Sequence, residues 1–311
     1  MPVLDTRRRG SRFVGLTSRS VLNSPVSTGM DFWTLNPYVG CEFGCSYCYA
    51  RNTHRWVTER NADRGPGELT ALSPAQAFER NIFVKRNAAL VLRRTLDPKK
   101  LSGTPLLIGT ATDPYQPAER RFGVTRSVLE ALTEYRGLDL SLTTKSALVA
   151  RDIDVLQELG ARHRLTVNIS LISMDRELIR RLEPRTPLPH TRLRALAALS
   201  GARIQAGIMI APIVPGLTDG WGALGGLMAA AKEAGARFAV GSALRLNPGA
   251  RAGFLPVLER EFPELVGRYR HRYGQRAGPE QAYGAALEKR LTTLRAIHGL
   301  PGGTVRYRPA D

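Results

Sequence analysis

The segment that decides the fold is Asn36-Pro-Tyr-Val-Gly-Cys41-Glu-Phe-Gly-Cys45-Ser-Tyr-Cys48-Tyr-Ala-Arg51, which contains all three cysteines of the chain. Their spacing is Cys-x3-Cys-x2-Cys, and the loop follows a predicted first strand, Phe32–Tyr38. Three thiolates this close together can hold three corners of a 4Fe–4S cluster, because such clusters take cysteine ligands. One iron then lacks a protein ligand, and an open coordination position distinguishes a reactive metal site from a closed structural one. The sequence therefore predicts a 4Fe–4S cluster on Cys41, Cys45 and Cys48.

Two other readings of the cysteines stay open at this point. A structural zinc site needs four ligands, and His54, six residues after Cys48, is a candidate for the fourth. Zinc ligands usually come as two pairs, however, and no second pair exists here. A ferredoxin is disfavoured because its run is Cys-x2-Cys-x2-Cys with a fourth cysteine. Zinc, or no metal at all, remain the alternatives to the iron–sulfur cluster.

The residues between the cysteines also suit a cluster. Gly40 and Gly44 are expected to adopt positive φ or to let the backbone pass close to the cluster. The aromatic side chains of Phe43, Tyr47 and Tyr49 are placed to shield it from water, which influences a reduction potential.

Composition excludes some classes of protein and indicates a partner. The chain has 311 residues with 43% hydrophobic and 23% charged, which excludes a disordered tail protein, and three cysteines are too few for a disulfide-stapled module. A net charge of +18 favours a polyanionic partner, nucleic acid first. Only six of the 45 basic residues are lysines, so a GC-rich coding bias explains the excess equally well. Candidate contacts are the triplet Arg7–Arg9 and Arg268–Tyr273, where tyrosines between basic residues would stack on bases, unless that segment is simply the solvated face of a helix.

The sequence gives no sign of export or of a membrane segment. No apolar run of 7–15 residues follows Arg7–Arg9, so a signal peptide is not expected. The most apolar stretch, Ile204–Leu217, contains two prolines and is too short to span a bilayer. Because the cysteines lie together, they favour a metal site in a reducing cytoplasm over a disulfide framework. We expect a cytoplasmic protein with no membrane partner.

Short apolar runs alternate with helical patterns, which predicts an α/β fold with right-handed crossovers. Runs such as Leu106-Leu-Ile-Gly are apolar on both faces, as in a parallel sheet covered by helices. Six strand–helix units favour a partial (β/α)6 barrel over a closed eight-fold barrel, which needs about 250 residues. The predicted strands are Phe32–Tyr38, Leu106–Thr110, Leu138–Thr143, Leu165–Ile172, Ile204–Ile210 and Phe238–Ser242. The predicted helices begin at Ser73, where Pro74 and Gln76 suit a helix start, or span Thr125–Tyr135, Ala150–Leu159, Asp175–Leu182, Pro189–Leu199, Asp219–Ala234, Phe254–Arg272 and Pro279–His298.

Three segments are expected along the chain. Residues 1–30 are basic, without periodicity, and are predicted to form an N-terminal arm. Residues 31–246 carry every predicted strand and form the core. Residues 247–311 are helical by pattern and are predicted to be a C-terminal extension of that core.

The cysteine loop resembles the signature of the radical S-adenosylmethionine (SAM) superfamily, including the aromatic Tyr47 before the last cysteine. More narrowly, the chain is similar to the spore photoproduct lyase-related branch, which reads Asn-Pro-Tyr-x-Gly-Cys at the cluster. Four further segments fit that branch: Thr112-Asp-Pro-Tyr-Gln-Pro-Ala-Glu119, Thr143-Thr-Lys-Ser146, Asn168-Ile-Ser170 and Leu182-Glu-Pro-Arg-Thr-Pro187. The resemblance implies a partial barrel, SAM on the open iron, hydrogen abstraction by a 5′-deoxyadenosyl radical, and a one-electron reductant of the flavodoxin or ferredoxin type.

The resemblance also implies site residues. Lys145 follows a strand, so its ammonium group would reach the methionyl carboxylate of SAM, and Thr112 and Ser170 offer hydroxyls at two other strand ends. The backbone of Tyr47 would face the adenine. Asp113 would accept a hydrogen bond from the SAM amino group or from the substrate. We expect Lys145 and Asp113 to have catalytic roles and all five residues to bind the cofactor.

Structural roles compete with these assignments, and one residue departs from the family. Thr112-Asp-Pro is also an ordinary turn sequence, and Ser170 is equally suited to a buried strand. Glu183 and Arg185 are expected to form a salt bridge that fixes a loop rather than to contact substrate. Where spore photoproduct lyase has a cysteine that donates hydrogen, this chain has Ala111, which puts repair of thymine dimers by that route in doubt.

The sequence thus predicts a radical SAM enzyme of lyase or transferase type, with nucleic acid as the first candidate substrate. Modification of a peptide or small metabolite is the alternative within enzymes. A metal-binding interaction module without catalysis is the alternative outside them.

Overall fold

The computed structural model describes residues 2–6, 10–54, 72 and 74–302. Its strands are β1 (Val3–Thr6), β2 (Arg12–Leu16), β3 (Leu22–Asn23), β4 (Trp33–Leu35), β5 (Tyr38–Val39), β6 (Asn81–Lys85), β7 (Leu106–Ile108), β8 (Asp139–Thr144), β9 (Arg164–Ser170), β10 (Ala206–Ile213) and β11 (Ala239–Ala243). Its α-helices are α1 (Pro25–Thr28), α2 (Pro74–Arg80), α3 (Ala88–Thr95), α4 (Pro98–Leu101), α5 (Glu119–Phe122), α6 (Val124–Leu132), α7 (Ile153–Arg162), α8 (Arg176–Leu182), α9 (Pro189–Gly201), α10 (Trp221–Glu233), α11 (Pro248–Glu261), α12 (Val266–Tyr273) and α13 (Gln281–His298). Short 3-10 helices span Tyr49–Thr53, Ala147–Asp152 and Pro263–Leu265.

The larger sheet has the strand order β11-β10-β9-β8-β7-β4-β3. Its first six members run parallel, and the short β3 pairs antiparallel with β4 at one edge. Each parallel strand overlaps one of the six predicted strands. Leu142, Val167 and Ile208 in the central strands are fully buried, as strands covered on both faces must be. The α/β class with a parallel sheet is confirmed, and the described strands form an open sheet, as an incomplete barrel requires.

A second sheet was not predicted. It has the order β1-β2-β6-β5, with β2 and β6 parallel and the outer strands antiparallel to them. Strands β1 and β2 lie within the first 30 residues, where no strand was predicted, while Arg7–Arg9 lie outside the described residues. Phe13 and Val14 in β2 are fully buried, so apolar packing holds this basic segment against the core.

The helices also differ in detail from the sequence pattern. The helix predicted over Phe254–Arg272 is two helices, α11 and α12, because Pro263 follows Phe262 and disfavours helical backbone there; Phe262 has φ −145° and ψ 53°. No helix in the described ranges combines the length and the apolar character needed to cross a membrane.

Candidate active site

The cysteine loop leaves the small sheet after β5 and is fixed by backbone hydrogen bonds. The amide of Cys41 donates to the carbonyl of Phe78 (2.9 Å), and the amide of Ser46 donates to the carbonyl of Leu182 (2.9 Å). Gly40 and Gly44 have φ of +86° and +64°, as the sequence predicts. A Cβ at Gly40 would lie 2.8 Å from the Phe78 carbonyl oxygen, so this turn requires glycine.

The three thiols fit an iron–sulfur cluster. Cys41, Cys45 and Cys48 are all free; the first two are buried and the third is half-buried. Burial raises the pKa of each thiol, and the Lys145 ammonium partly offsets that rise at Cys45. Nowhere in the described part of the chain do three His, Cys, Asp or Glu side chains converge as ligands for a metal ion. A cluster places fewer demands on convergence, because each cysteine binds a different iron.

His54, the candidate fourth zinc ligand, lies in an apolar setting. Its Nε2 is 2.9 Å from the carbonyl oxygen of Asn81, and its ring packs edge-on against Phe83 with 5.2 Å between centroids. Burial lowers the pKa of His54 to about 4. These contacts place His54 against β6 and give no support to a zinc site.

Lys145 lies where the strand ends meet the cysteine loop. Its Nζ donates to Ser170 Oγ (2.9 Å) and lies 5.9 Å from the centroid of the Tyr47 ring. Glu183 Oε1 is 3.8 Å away. Burial is the largest single influence and disfavours the ammonium, but nearby negative groups, Glu183 first among them, together outweigh it, and the pKa of Lys145 is raised. The structure thus brings Lys145, Ser170 and Tyr47 together, because the carboxyl ends of parallel strands share one edge of the sheet.

Asp113 and Thr112 use their polar atoms to hold loops. The Asp113 carboxylate accepts hydrogen bonds from Thr144 Oγ1 (2.6 Å), the Lys145 amide (2.7 Å) and the Tyr115 amide (2.9 Å). Burial raises its pKa in spite of these bonds. Thr112 Oγ1 donates to the carbonyl of Gly40 at the start of the cysteine loop (2.6 Å). Contact of either residue with SAM remains a prediction; what the structure shows is that they position the neighbouring loops.

Gln116, fully buried, belongs to the site and was missed. Its side-chain amide donates to the Gly40 carbonyl (3.1 Å), and its Oε1 accepts from the Glu42 amide (3.0 Å). The only sequence signal was its place inside the segment Thr112–Glu119.

The expected Glu183–Arg185 salt bridge is wrong. Glu183 pairs with Arg192, and both side chains are fully buried. Tyr47 Oη also donates to Glu183. Arg185 pairs instead with Glu79. The two residues are neighbours in sequence, but their side chains turn toward different partners, which short-range spacing cannot reveal.

A cavity of about 660 Å³ opens beside the cysteine loop. It is lined by loop residues Glu42 and Phe43, by Ser146 next to Lys145, and by three arginines: Arg120, Arg180 and Arg185. The candidate stacking segment Arg268–Tyr273 lies elsewhere, and its predicted stacking on bases is wrong. Tyr269 and Tyr273 are buried, stack on each other at 5.6 Å, and donate their hydroxyls to the carbonyls of Pro215 and Leu244.

Residues 35–222 match the model of the Radical SAM superfamily, which covers more than half of the chain. The chain belongs to this superfamily. Membership supports an enzyme with radical SAM chemistry, and it implies SAM and an iron–sulfur cluster as cofactors and an electron donor as partner. An uncharacterized protein of Mycobacterium tuberculosis is 34% identical over 97% of this radical SAM chain and 86% of its own length. One of Methanocaldococcus jannaschii is 27% identical over 60% and 62%.

Solved structures agree on the fold. A spore photoproduct lyase variant with bound AdoMet and dinucleoside spore photoproduct gives a TM-score of 0.64 at 17% identity, covering 92% of this chain and 79% of that one. SuiB of Streptococcus suis bound to S-adenosylmethionine gives 0.54 at 14% identity, covering 88% and 50%. At these identities the likeness concerns the fold, and it confirms the resemblance that the cysteine loop and the four segments indicated.

Proposed function

We propose that this chain is a radical SAM enzyme in which Cys41, Cys45 and Cys48 hold a 4Fe–4S cluster. When bound, the cluster supplies the electron that splits SAM into methionine and a 5′-deoxyadenosyl radical, which takes hydrogen from the substrate. The observation that carries the proposal is the position of Lys145. Its ammonium group lies beside the cysteine loop, hydrogen-bonded to Ser170 at the end of the neighbouring strand.

The chain's own residues have distinct tasks in this proposal. Lys145 and Ser170 bind the methionyl carboxylate of SAM, and Tyr47 contributes its backbone toward the adenine. Asp113 holds the amide of Lys145 and so orients its loop, while Thr112 holds the carbonyl of Gly40. Phe43 and Tyr47 are 3% and 6% exposed and help to exclude water from the radical.

Anaerobic reconstitution tests the proposal. We expect about four irons per chain and reductive release of 5′-deoxyadenosine from SAM. Serine at Cys41, Cys45 or Cys48 should abolish release. Lys145→Ala should raise the SAM concentration needed while leaving iron content unchanged; Lys232→Ala, far along the chain on α10, is the matched control. Stoichiometric zinc without 5′-deoxyadenosine would support the non-catalytic metal-binding module instead.

The substrate we propose is nucleic acid, acted on in the cytoplasm, with a flavodoxin or ferredoxin type of protein as reductant. Support comes from Arg120, Arg180 and Arg185 around the cavity, since guanidinium groups bind phosphates. Ala111 and the absence of any cysteine after Cys48 in the sequence leave no spare thiol as hydrogen donor, which argues against dimer repair by the thiol-dependent route.

Salt dependence tests the substrate. Affinity for single-stranded DNA should fall steeply with salt concentration, because binding releases counterions from the phosphates. The slope of log affinity against log salt concentration reports how many are released. Arg120→Gln should reduce that slope by about one, whereas Arg268→Gln, away from the cavity, should not. An affinity that does not change with salt would exclude nucleic acid as the substrate and favour a peptide or small metabolite. Deuterated candidates of those classes would then be tested for transfer of deuterium to 5′-deoxyadenosine.

A further inference from the structure

Arg51 is a buried arginine at the end of the cysteine loop, three residues after Cys48. Its side chain is only 7% exposed. Its Nη2 donates to the backbone carbonyl of Cys45 (2.9 Å) and also pairs with Glu79. Arg51 is therefore tied to the backbone of one predicted cluster ligand while its charge is held away from water.

Glu79 is shared by two arginines. Arg185 pairs with the second oxygen of the same carboxylate, and its guanidinium lies against the left-handed turn at Gly44, where a Cβ would collide with it. The trio Arg51–Glu79–Arg185 therefore follows the cysteine loop from Gly44 to its end. The charges of these three side chains, two guanidinium groups and one carboxylate, sum to one positive charge.

The burial of Arg51 depends on helix α11 from the C-terminal segment. Gly253 on this helix approaches the Ser46 carbonyl, and a Cβ there would lie 2.9 Å from Arg51 Nε. One turn earlier, a Cβ at Gly249 would lie 2.7 Å from Asn52 Oδ1. A buried charge is costly unless other groups compensate it, so a guanidinium enclosed in this way acts strongly on whatever charge forms nearby.

We propose that Arg51 is a positioning residue for the cluster: it fixes the Cys45 turn and, through its buried charge, raises the cluster's reduction potential. This inference rests on the proposed function. A cluster held by three thiolates is anionic and gains a further negative charge on reduction, so a nearby cation stabilises the reduced form.

The test is a redox titration of the reconstituted full chain without SAM, in which the EPR signal of the reduced cluster measures how much of the cluster is reduced at each potential. Arg51→Gln should shift the potential to more negative values, with a reduced-to-oxidised ratio about tenfold lower at a fixed potential, or about 59 mV for one electron. Glu79→Gln should shift it in the opposite direction, because it removes the negative charge that faces both guanidinium groups. Arg185→Gln is the matched control; its side chain is 36% exposed, so solvent screens its charge and the shift should be smaller.

Iron content separates the two proposals. A wild-type chain that takes up no iron overturns the proposed function and this inference with it. Wild type with a full cluster, but Arg51→Gln at an unchanged potential, overturns only the inference. If the Arg51→Gln variant does not bind iron, the Glu79→Gln variant is the remaining test. A cluster potential in Glu79→Gln that is unchanged or more negative than in wild type contradicts a role for the charge of Arg51.

Discussion

Two fully buried glutamates, Glu119 and Glu183, each accept a hydrogen bond from a tyrosine of the segment Asn36–Arg51. Tyr38 Oη donates to Glu119 at 2.5 Å, and Tyr47 Oη donates to Glu183. Each carboxylate also pairs with an arginine. By burial and by tyrosine contact alone, the two sites look alike.

Their remaining partners differ. Glu119 accepts from the backbone amides of Thr125 (2.8 Å) and Arg126 (3.2 Å) in the first turn of α6, and its cation, Arg151, is 32% exposed. Glu183 has no backbone donor among its described contacts. Its other partners are side chains: the fully buried Arg192, the Thr186 hydroxyl (3.1 Å) and the Lys145 ammonium.

The difference separates a structural carboxylate from one in the site. Glu119 satisfies helix N-terminal amides that would otherwise lack partners, as a capping residue does. Glu183 balances two cations, the fully buried Arg192 and the half-buried Lys145, where we place the SAM carboxylate. Burial of the charged group therefore does not distinguish the two glutamates; the kind of partner does.

The largest effect that we expect is the loss of stability when the arginine partner of each glutamate is replaced. Arg192→Met should lower the free energy of unfolding by about 3–5 kcal/mol, because it leaves Glu183 buried without its guanidinium partner. Arg151→Met should cost only about 1 kcal/mol, since that side chain is one-third exposed and its other carboxylate partner, Asp152, keeps Arg126. Urea unfolding followed by circular dichroism measures both. Equal losses would show that the two carboxylates are held in the same way.

Sequence reasoning recovered the main sheet because several of its six parallel strands are apolar on both faces and short apolar runs alternate with helical patterns, which are local signals. It missed β2 and β6, whose pairing joins Phe13 to Ile82 across the chain. Neither segment alternates long enough to stand out, and the stability of each depends on the other. Pairing between strands that are distant in the sequence depends on how they pack in the folded chain, and it produces no local sequence pattern.

The same distinction holds in the site. Lys145 and Ser170 could be expected to meet, because both follow parallel strands and the ends of such strands share an edge. The pair Glu183–Arg192 and the pair Arg185–Glu79 could not, since each links surfaces that only the folded chain brings together. The sequence was sufficient to find the cysteine loop, whereas the structure was needed to find the buried ion pairs around it.

A smaller effect is expected from Glu119→Gln. One carboxylate oxygen accepts from the Thr125 amide and Tyr38, and the other accepts from the Arg126 amide and Arg151. The NH2 of glutamine must face one of these pairs, so a backbone amide loses its acceptor in either orientation, and we expect a loss of about 2 kcal/mol. This exceeds the loss from Arg151→Met, because the backbone amides of α6 depend on Glu119 more than the cation does. Hydrogen exchange should show faster exchange at the amides of Thr125 and Arg126. Unchanged protection there would contradict the capping role.

The smallest effect concerns the tyrosines, and it is the one that relates the comparison to function. Tyr47→Phe removes one hydrogen bond to Glu183 and frees that oxygen to turn toward Lys145, where it competes with an anionic ligand. Loss of about 1 kcal/mol corresponds to roughly fivefold weaker SAM binding, measured by anaerobic calorimetry on cluster-loaded protein. Tyr38→Phe, the matched control, should lose a similar amount of stability without any change in SAM affinity, because Glu119 faces α6 rather than Lys145. If the two variants bind SAM with the same affinity, Glu183 does not act on the Lys145 site, and both glutamates have only a structural role.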